Sequence, residues 1–328
     1  MYIVTIDTGT TNTRVCLWDD KVLIDSVMRP VGVRNTSIEG NNQQIVRAIS
    51  AAFSELLSTN QLNESNIEQV LASGMITSNL GLLEVPHVVA PVDINTLAKQ
   101  MQSQVFEQIC SQPIWFIPGV KNFASACDSN WEAMDMMRGE EVEAFAIRQK
   151  MSEPGPVLVV LPGSHTKFIA FNEQGQISGC CTTLAGELIS AVTHHTILSS
   201  SLDKRFAEKI DTQYLVRGAN SSLQVGLTRS LFTVRVLEQS GQLEHDQLAS
   251  FLLGAIVITD IEAFLNSRAL NYQASHTVYV STNSLQGQAF SLVLAQFHPQ
   301  IKLCNVEEFK LSNMAGAGCI LVATAAKL

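Results

Sequence analysis

The sequence predicts an α/β protein made of two similar lobes, and three observations lead to that prediction. The chain has 328 residues, about twice the common size of a single domain. A strand, a turn of small polar residues and a second strand occur near the start, and the same unit returns near the middle. Segments with helical spacing separate and follow these units, as is typical of α/β folds. We therefore expect duplicated sheets with a cleft between them.

The overall composition excludes several classes of protein. Hydrophobic residues make up 46% of the chain and charged residues 16%, which is enough apolar material for two cores and excludes a disordered chain. The longest apolar runs fall short of the ~20 residues that cross a bilayer. No basic segment precedes an apolar one at the N-terminus, as a signal peptide would require. We expect a cytoplasmic protein with no membrane partner.

Charge and cysteine content narrow the partners further. The chain has 21 basic and 30 acidic side chains, a net charge of −9, which repels a nucleic-acid backbone. Its seven cysteines are scattered, and no two have the Cys-x-x-Cys spacing, which predicts reduced thiols rather than disulfides or zinc sites. The expected partner is a small molecule, and the sequence leaves open whether the chain also forms a homo-oligomer.

The first strand-turn-strand unit lies at the N-terminus. Apolar and small polar residues alternate over residues 3–18 around the turn Asp7-Thr8-Gly9-Thr10-Thr11-Asn12, and a third strand is expected at 22–26. Alternation on both sides of a glycine-containing turn is the signature of a β-hairpin.

The second unit opens the second half in the same way. The apolar run 157–161 is followed by the turn Pro162-Gly163-Ser164-His165-Thr166 and then by a second strand at 167–171. A basic residue follows each turn at nearly the same offset, because Arg14 lies five residues after Gly9 and Lys167 four after Gly163. This internal repeat is the most informative feature of the chain.

Helices and a boundary complete the predicted architecture. Apolar residues recur at helical spacing in 43–57, and further helices are predicted at 94–110, 138–150, 185–198, 242–267 and 316–327. Pro154-Gly155-Pro156 ends the helix before it. We therefore divide the chain into an N-terminal lobe, 1–152, and a C-terminal lobe, 153–328.

The chemistry suggested by two such turns is phosphate binding. A glycine-containing turn directs backbone N–H groups into one concavity, and threonine hydroxyls add donors. Two turns that face each other could hold the phosphates of a nucleotide, with Asp7 holding Mg²⁺ through water and Arg14 or Lys167 offsetting charge. The alternative is an ordinary hairpin whose Asp or Thr bonds its own backbone.

Other known motifs are absent. Asp7-Thr8-Gly9 matches half of an aspartic-protease site, but the chain has no second Asp-Thr/Ser-Gly to complete the carboxylate pair. The sequence also has no Gly-x-x-x-x-Gly-Lys-Ser/Thr loop and no strand-linked Gly-x-Gly-x-x-Gly fingerprint.

The two turns and several longer strings resemble known proteins. Asp7-Thr8-Gly9-Thr10-Thr11-Asn12-Thr13-Arg14 resembles the first phosphate loop shared by sugar kinases, acetate kinase, actin and the heat-shock chaperone ATPases. Over about residues 2–260 the chain is similar to the 2-dehydro-3-deoxygalactonokinase family. The strings that carry this likeness are Met137-Arg138-Gly139-Glu140-Glu141, Leu161-Pro162-Gly163-Ser164-His165-Thr166-Lys167, Leu184-Ala185-Gly186-Glu187-Leu188, Gly74-Met75-Ile76-Thr77-Ser78-Asn79 and Ile117-Pro118-Gly119.

The resemblance implies a fold and an activity. The fold would be two actin-like (ribonuclease H-like) lobes, with duplicated mixed β-sheets flanked by helices and the active-site cleft between them. The cofactors would be ATP and Mg²⁺. The reaction would be phosphorylation of the terminal (O6) hydroxyl of a 2-dehydro-3-deoxy sugar acid, foremost 2-dehydro-3-deoxy-D-galactonate, as a step in galactonate degradation.

The resemblance also implies roles for particular residues. Asp7 would lie near Mg²⁺, and Ser78, Asn79 and Glu187 would bind the sugar acid. The residues assigned to the nucleotide are Gly9, Thr10, Thr11, Asn12, Arg14, Gly163, Ser164, His165, Lys167, Gly316 and Gly318.

The catalytic base is predicted as a carboxylate at the entrance of a first-lobe helix. Asp135 is the first choice, and Asp128 and Glu140 are rivals, unless such a carboxylate only complements the helix dipole. Arg138 is expected to pair with a substrate carboxylate or a phosphate, because its planar guanidinium can form two parallel hydrogen bonds. Two other functions stay open for this fold: a nucleotide-switched binding protein and a pseudokinase that senses a sugar acid.

Overall fold

The structure is a computed structural model that describes residues 1–123, 130–151, 155–273, 275–306 and 313–328. The strands of the first half are β1 (Tyr2–Thr8), β2 (Thr13–Asp19), β3 (Val22–Arg29), β4 (Ile67–Gly74), β5 (Val88–Val89), β6 (Gln102–Phe106), β7 (Cys110–Phe116), β8 (Val120–Lys121) and β9 (Met136–Met137). Those of the second half are β10 (Val157–Leu161), β11 (Thr166–Phe171), β12 (Ile177–Thr183), β13 (Thr277–Val280) and β14 (Leu303–Asn305). The α-helices are α1 (Val33–Glu39), α2 (Gln43–Thr59), α3 (Ile94–Lys99), α4 (Glu140–Lys150), α5 (Ala185–His195), α6 (Thr212–Val225), α7 (Leu227–Gln239), α8 (His245–Asn266), α9 (Leu285–Phe297) and α10 (Met314–Ala326).

Two mixed sheets repeat the same topology. The first has the strand order β3-β2-β1-β4-β7-β6 and the second β12-β11-β10-β13-β14. In each sheet the opening strand pairs antiparallel with the next strand and parallel with a later one, β4 or β13. The predicted α/β fold of two lobes with duplicated mixed sheets is therefore confirmed.

Both predicted hairpins are present, and their registers explain the matching basic residues. Asp7 lies opposite Arg14 in the β1–β2 pair, and Leu161 lies opposite Lys167 in the β10–β11 pair. Directly opposite residues of an antiparallel pair point to the same face. Arg14 and Lys167 therefore occupy equivalent positions in the two lobes, but only Arg14 has a carboxylate across from it.

One helix prediction was wrong. The segment 94–110 contains only a short helix, α3, which ends at Lys99, and strand β6 begins at Gln102. This strand pairs antiparallel with β7 at the edge of the first sheet. Pairing with a neighbouring strand overrides a weak helical pattern, because short segments take the structure that their tertiary partners favour.

Helix α8 has 22 residues and is apolar, with a mean hydropathy of 1.9 over its most apolar 18-residue stretch. Its length and composition would allow it to cross a membrane, but 78% of its most apolar stretch is buried within the protein. Phe251, Ile258 and Phe264 lie in the core beneath the second sheet. Helix α8 is thus packed as a core helix.

Helix α10 returns from the end of the second half to the first sheet. It packs against α3, α4, β1 and β4, and Cys319 Sγ donates a hydrogen bond to Ser73 Oγ of β4 at 3.2 Å. One apolar core contains Ile3 and Val142 of the first half, Val159 of the second half and Ile320 of α10. The predicted boundary between residues 152 and 153 lies outside the described residues. Helix α10 falls within the predicted C-terminal lobe, 153–328, but packs against elements of the first half.

Candidate active site

The first loop, residues 9–12, is a tight turn held by helix α1. The Gly9 N–H donates to the Asn12 carbonyl at 2.8 Å, and the Arg34 N–H donates to the Thr10 carbonyl at 2.9 Å. Thr10, Thr11 and Asn12 are exposed. The predicted phosphate-binding groups therefore face solvent on a fixed backbone, as a ligand-binding turn requires.

Asp7 stands at the end of β1 beside this loop and is half-buried. Burial raises the pKa of its carboxyl to about 6, the charge of Arg14 opposes that rise, and the charge of Glu140 adds to it. A carboxylate whose pKa is raised by burial and altered by charged neighbours is often found at functional sites.

Two glycines bring helix α4 close to Asp7. A Cβ on Gly74 would lie 2.8 Å from Asp7 Oδ1, and a Cβ on Gly139 would lie 3.0 Å from Gly74 Cα. Both residues also have positive φ angles, +83° and +113°, which other residues rarely adopt. The start of α4, with Glu140, therefore lies next to the Asp7 carboxylate.

Helix α4 begins with three carboxyl groups, at Glu140, Glu141 and Glu143. Glu141 is fully buried and accepts two hydrogen bonds from the Gly139 N–H, at 2.8 and 3.0 Å. Burial, and then the charge of Glu140, raises the pKa of Glu141 to about 8. Burial, and then the charges of Asp7 and Glu140, raises the pKa of Glu143 to about 7. Sequence analysis had selected only Glu140 from this group.

These carboxyl groups predict that the protein loses stability as the pH rises from about 4.5 to about 8. From about pH 4.5, the ordinary pKa of these carboxyls, the folded chain retains protons on Glu141 and Glu143 that the unfolded chain has released, so stability falls with rising pH until both groups have ionised in the folded chain at about pH 8. We expect the free energy of unfolding in urea to fall with a slope of up to about 1.4 kcal/mol per pH unit for each carboxyl.

The matched test is the variant Glu143→Gln, which cannot ionise at this position. Its stability should change less with pH than that of the wild type and should exceed it at pH 8. The variant Glu173→Gln on the exposed turn after β11 should follow the wild-type curve. Parallel curves for Glu143→Gln and the wild type would contradict the assignment.

The second loop, residues 163–165, packs against the start of helix α5. A Cβ on Gly186 would lie 2.1 Å from the Gly163 carbonyl oxygen, and the Glu187 N–H donates to the Ser164 carbonyl at 2.9 Å. His165 Nε2 lies 3.1 Å from Glu187 Oε1 in an exposed pair. Glu187, which was predicted to bind the sugar acid, thus lies at the second loop.

Lys167 connects the second hairpin by hydrogen bonds to the segment that precedes helix α4. Its Nζ donates to the Met136 carbonyl at 2.9 Å and to Thr182 Oγ at 2.8 Å. The Thr182 hydroxyl in turn donates to Asp135 Oδ1 at 3.1 Å, and Asp135 Oδ1 also accepts from the Met136 N–H at 2.6 Å. We call residues 136–140 the bridging segment, because it contacts Lys167 at one end and Gly74, beside Asp7, at the other.

Arg138, within the bridging segment, is engaged inside the protein. One terminal nitrogen bonds the carbonyl and hydroxyl of Thr77, and the other bonds the Val85 carbonyl at 3.0 Å and lies 3.1 Å from His87 Nδ1. Burial, and then the charge of Arg138, lowers the pKa of His87 to about 4, so its ring accepts the bond in the neutral form. The guanidinium of Arg138, which was predicted to pair with a substrate carboxylate or a phosphate, is therefore hydrogen-bonded to acceptors within the protein.

A cavity of about 360 Å³ opens beside the second loop. It runs from the loop between α5, α8 and the start of α9. Its lining consists of Gly163, Ser164, Gly186, Ile189, Ser190, Thr193, Arg205, Phe206, Ala207, Ala249, Leu252, Leu253, Leu285 and Gln286. Mostly apolar walls with a few polar groups are typical of a small-molecule site.

Gly316 and Gly318, two of the four glycines predicted to bind the nucleotide, do not line this cavity. A Cβ on Gly316 would lie 2.5 Å from the Trp18 ring, and one on Gly318 would lie 2.0 Å from the Val142 carbonyl oxygen. Both glycines allow α10 to pack closely on β2 and α4. Their placement corrects the predicted role of Gly316 and Gly318 to one in helix packing.

The remaining predicted residues have local roles or lie elsewhere. The Ser78 hydroxyl donates to the Met75 carbonyl at 2.7 Å, and Asn79 beside it is exposed and free to meet a ligand from solvent. Asp128 lies outside the described residues.

Comparison with known proteins identifies the family. The family model for 2-keto-3-deoxy-galactonokinase matches residues 7–315. The chain belongs to the 2-keto-3-deoxy-galactonokinase family. An *Escherichia coli* K12 protein named 2-dehydro-3-deoxygalactonokinase is 26% identical over 288 residues, which cover 88% of each chain. The chain is therefore a sugar kinase, a phosphotransferase with an alcohol group as acceptor.

Solved structures confirm the actin-like fold of this galactonokinase-family chain. A *Sinorhizobium meliloti* protein whose name places it in the same enzyme group has a TM-score of 0.75 at 17% identity, covering 99% of this chain and 98% of that one. Component A of *Acidaminococcus fermentans* (R)-2-hydroxyglutaryl-CoA dehydratase has a TM-score of 0.52 at 12% identity, covering 99% of each chain.

Sequence reasoning missed several residues of this kinase site. Glu141 and Glu143 stood within and beside the string Met137-Arg138-Gly139-Glu140-Glu141. The spacing of three residues between Glu140 and Glu143 would have placed these two side chains on the same helix face. The lining of the cavity comes from five separate segments of the second half. No local pattern in the sequence joins those segments.

Proposed function

We propose that this chain transfers the γ-phosphoryl group of ATP to the terminal (O6) hydroxyl of a 2-dehydro-3-deoxy sugar acid, foremost 2-dehydro-3-deoxy-D-galactonate, with Mg²⁺. The observation that supports this most directly is the bridging segment. It contacts Lys167 of the second hairpin and Gly74 beside Asp7 of the first, and this link between the hairpins supports one shared site for both turns.

The nucleotide is assigned to the second lobe. Its base and ribose would occupy the cavity of about 360 Å³, and its phosphates would pass Gly163 and Ser164 toward the first loop. Arg14, opposite Asp7, would offset the charge that develops on the transferred group. Phosphoryl transfer depends mainly on such positioning and electrostatic stabilisation.

The chemistry around Asp7 suits Mg²⁺ held through water. Asp7 offers a carboxylate oxygen, and burial, followed by the charge of Glu140, raises its pKa, so a cation nearby would favour the ionised form. Among the residues that the structure describes, no three His, Cys, Asp or Glu side chains are grouped to ligate a metal directly. This matches Mg²⁺, which keeps several waters and takes one or two carboxylates together with phosphates. Bound there, the ion would neutralise phosphate charge.

Glu140 is assigned as the base, in place of the first sequence choice, Asp135. Glu140 is the first residue of helix α4 and lies next to Asp7. Its carboxylate therefore borders the place where the acceptor hydroxyl and the transferred group must meet. The Asp135 carboxylate already accepts from Thr182 and from the Met136 N–H. Asp135 is thereby assigned to hold the bridging segment in position.

The test is ADP release from Mg-ATP with a panel of 2-dehydro-3-deoxy sugar acids that differ in one hydroxyl configuration. We expect turnover to be highest with the galactonate derivative, and ³¹P and ¹³C spectra of the product should place the phosphate on O6. No turnover with any member, for protein shown to be folded, would overturn the proposal. A product phosphorylated elsewhere would overturn the O6 assignment alone.

A further inference from the structure

One residue that lines the cavity beside the second loop, Thr193, carries a buried hydroxyl that nothing in the described part of the protein satisfies. Thr193 of helix α5 is 1% exposed, and its hydroxyl has no hydrogen-bond partner. Among the unpartnered buried side-chain atoms of the described residues, it is the one that belongs to the cavity lining. A buried hydroxyl without a partner is costly, so a ligand that supplies one gains from it.

The position of Thr193 indicates which part of a ligand it meets. Gly186 and Thr193 both lie on α5 and both line the cavity, and Gly186 packs against the second loop. Thr193 comes seven positions after Gly186, which corresponds to a distance of about 10 Å along the helix axis. If phosphates lie at the Gly186 end, the Thr193 end is reached by the base of the same nucleotide.

The walls around Thr193 have the chemistry of a base-binding pocket. Ile189, Leu252 and Leu253 supply apolar surface from two helices, α5 and α8. Aliphatic surfaces can cover the faces of a flat ring, while a single hydroxyl meets its polar edge. Two other polar side chains of the cavity bond elsewhere: Gln286 donates to Thr166 Oγ at 3.2 Å, and Arg205 forms exposed pairs with Asp203 and Glu208. Ser164 and Ser190 also line the cavity, but neither is buried.

We propose that the Thr193 hydroxyl forms the hydrogen bond that holds the nucleobase in this cavity and so contributes to specificity for the nucleotide. This inference rests on the proposed function, because it takes the cavity to be the nucleotide site. The hydroxyl can donate to a ring nitrogen or accept from an amino group. Thr193 is a binding residue and takes no part in the chemical step.

The decisive variant is Thr193→Val, which keeps the shape of the side chain and removes the hydroxyl. We expect calorimetry to show ADP binding weakened by about 2- to 12-fold, the range of one net hydrogen bond. Inorganic pyrophosphate has no base, so its affinity should be unchanged. The ligand-free variant should melt at or above the wild-type temperature, because an unsatisfied buried group has been removed. A residue with only a structural role would not shift these two measurements in opposite directions.

Two further variants serve as controls. Thr193→Ser retains a hydroxyl and should restore most of the ADP affinity. Thr233→Val makes the same change on helix α7, where the hydroxyl bonds the Arg229 carbonyl, and it should bind ADP as the wild type does.

The outcomes separate this inference from the function on which it rests. If the wild type binds ADP and Thr193→Val binds it equally well, the role of Thr193 is wrong while the kinase proposal stands. If Thr193→Val weakens pyrophosphate as much as ADP, the base contact is also wrong. If the folded wild type binds no nucleotide, both proposals fall.

Discussion

Asp7→Asn is expected to lower kcat by roughly 100- to 1,000-fold, the usual cost of removing one electrostatic group from an active site. The variant should nevertheless remain folded. Burial raises the pKa of Asp7 to about 6, which means that the ionised carboxylate is unfavourable in the folded chain at neutral pH. A neutral amide of the same shape relieves this cost. A coupled assay of ADP release and a thermal melt at pH 7.5 measure the two effects.

The control for this variant is Asp19→Asn, at the opposite end of the same hairpin. Asp19 is exposed and pairs with the N-terminal amino group, so its loss should leave kcat unchanged. Normal turnover by Asp7→Asn would show that Asp7 does not serve the metal. A large fall in melting temperature would instead show that the loss of activity reflects unfolding.

Glu140→Gln should lower kcat by roughly 100- to 10,000-fold, as expected when a general base is removed. The KM for ATP should stay near the wild-type value, because the base contacts the acceptor and not the nucleotide. Glutamine preserves the bond that Glu140 Oε2 accepts from the Arg138 N–H. Steady-state kinetics with each substrate varied in turn, together with a circular dichroism spectrum, provide the measurement.

Asp135→Asn is the comparison that decides between the two carboxylates. An amide oxygen can still accept from Thr182 and from the Met136 N–H, so a positioning residue should lose less than about 10-fold in kcat. If Asp135→Asn loses activity as severely as we expect of Glu140→Gln, and Glu140→Gln does not, then Asp135 is the base.

The duplicated hairpins could be predicted from the sequence because every signal for them is local. Alternating apolar residues, a glycine-containing turn and a matching basic residue lie within about twenty positions of one another in each half. The structure confirms both units with Asp7 opposite Arg14 and Leu161 opposite Lys167. Local patterns of this kind fix the face on which each side chain lies.

The partners of the site residues could not be predicted, because they come from distant parts of the chain. Lys167 was expected along a phosphate, but its contacts are the Met136 carbonyl and Thr182. Arg138 was expected at the substrate, but it holds Thr77, Val85 and His87. A basic residue in a turn motif has the same appearance in the sequence whether its partner is a ligand or the protein. Only the fold distinguishes the two cases.

Helix α10 has a consequence for how the protein is made. The first sheet contributes Asp7 and the first loop, and the helix that covers it is translated only after the entire second sheet. A nascent N-terminal half on the ribosome therefore exposes the apolar surface around Ile3 and Val142 that Ile320 and its neighbours later cover. Such surfaces recruit chaperones and favour aggregation. The core beneath Asp7 should thus become complete only after helix α10 has been translated.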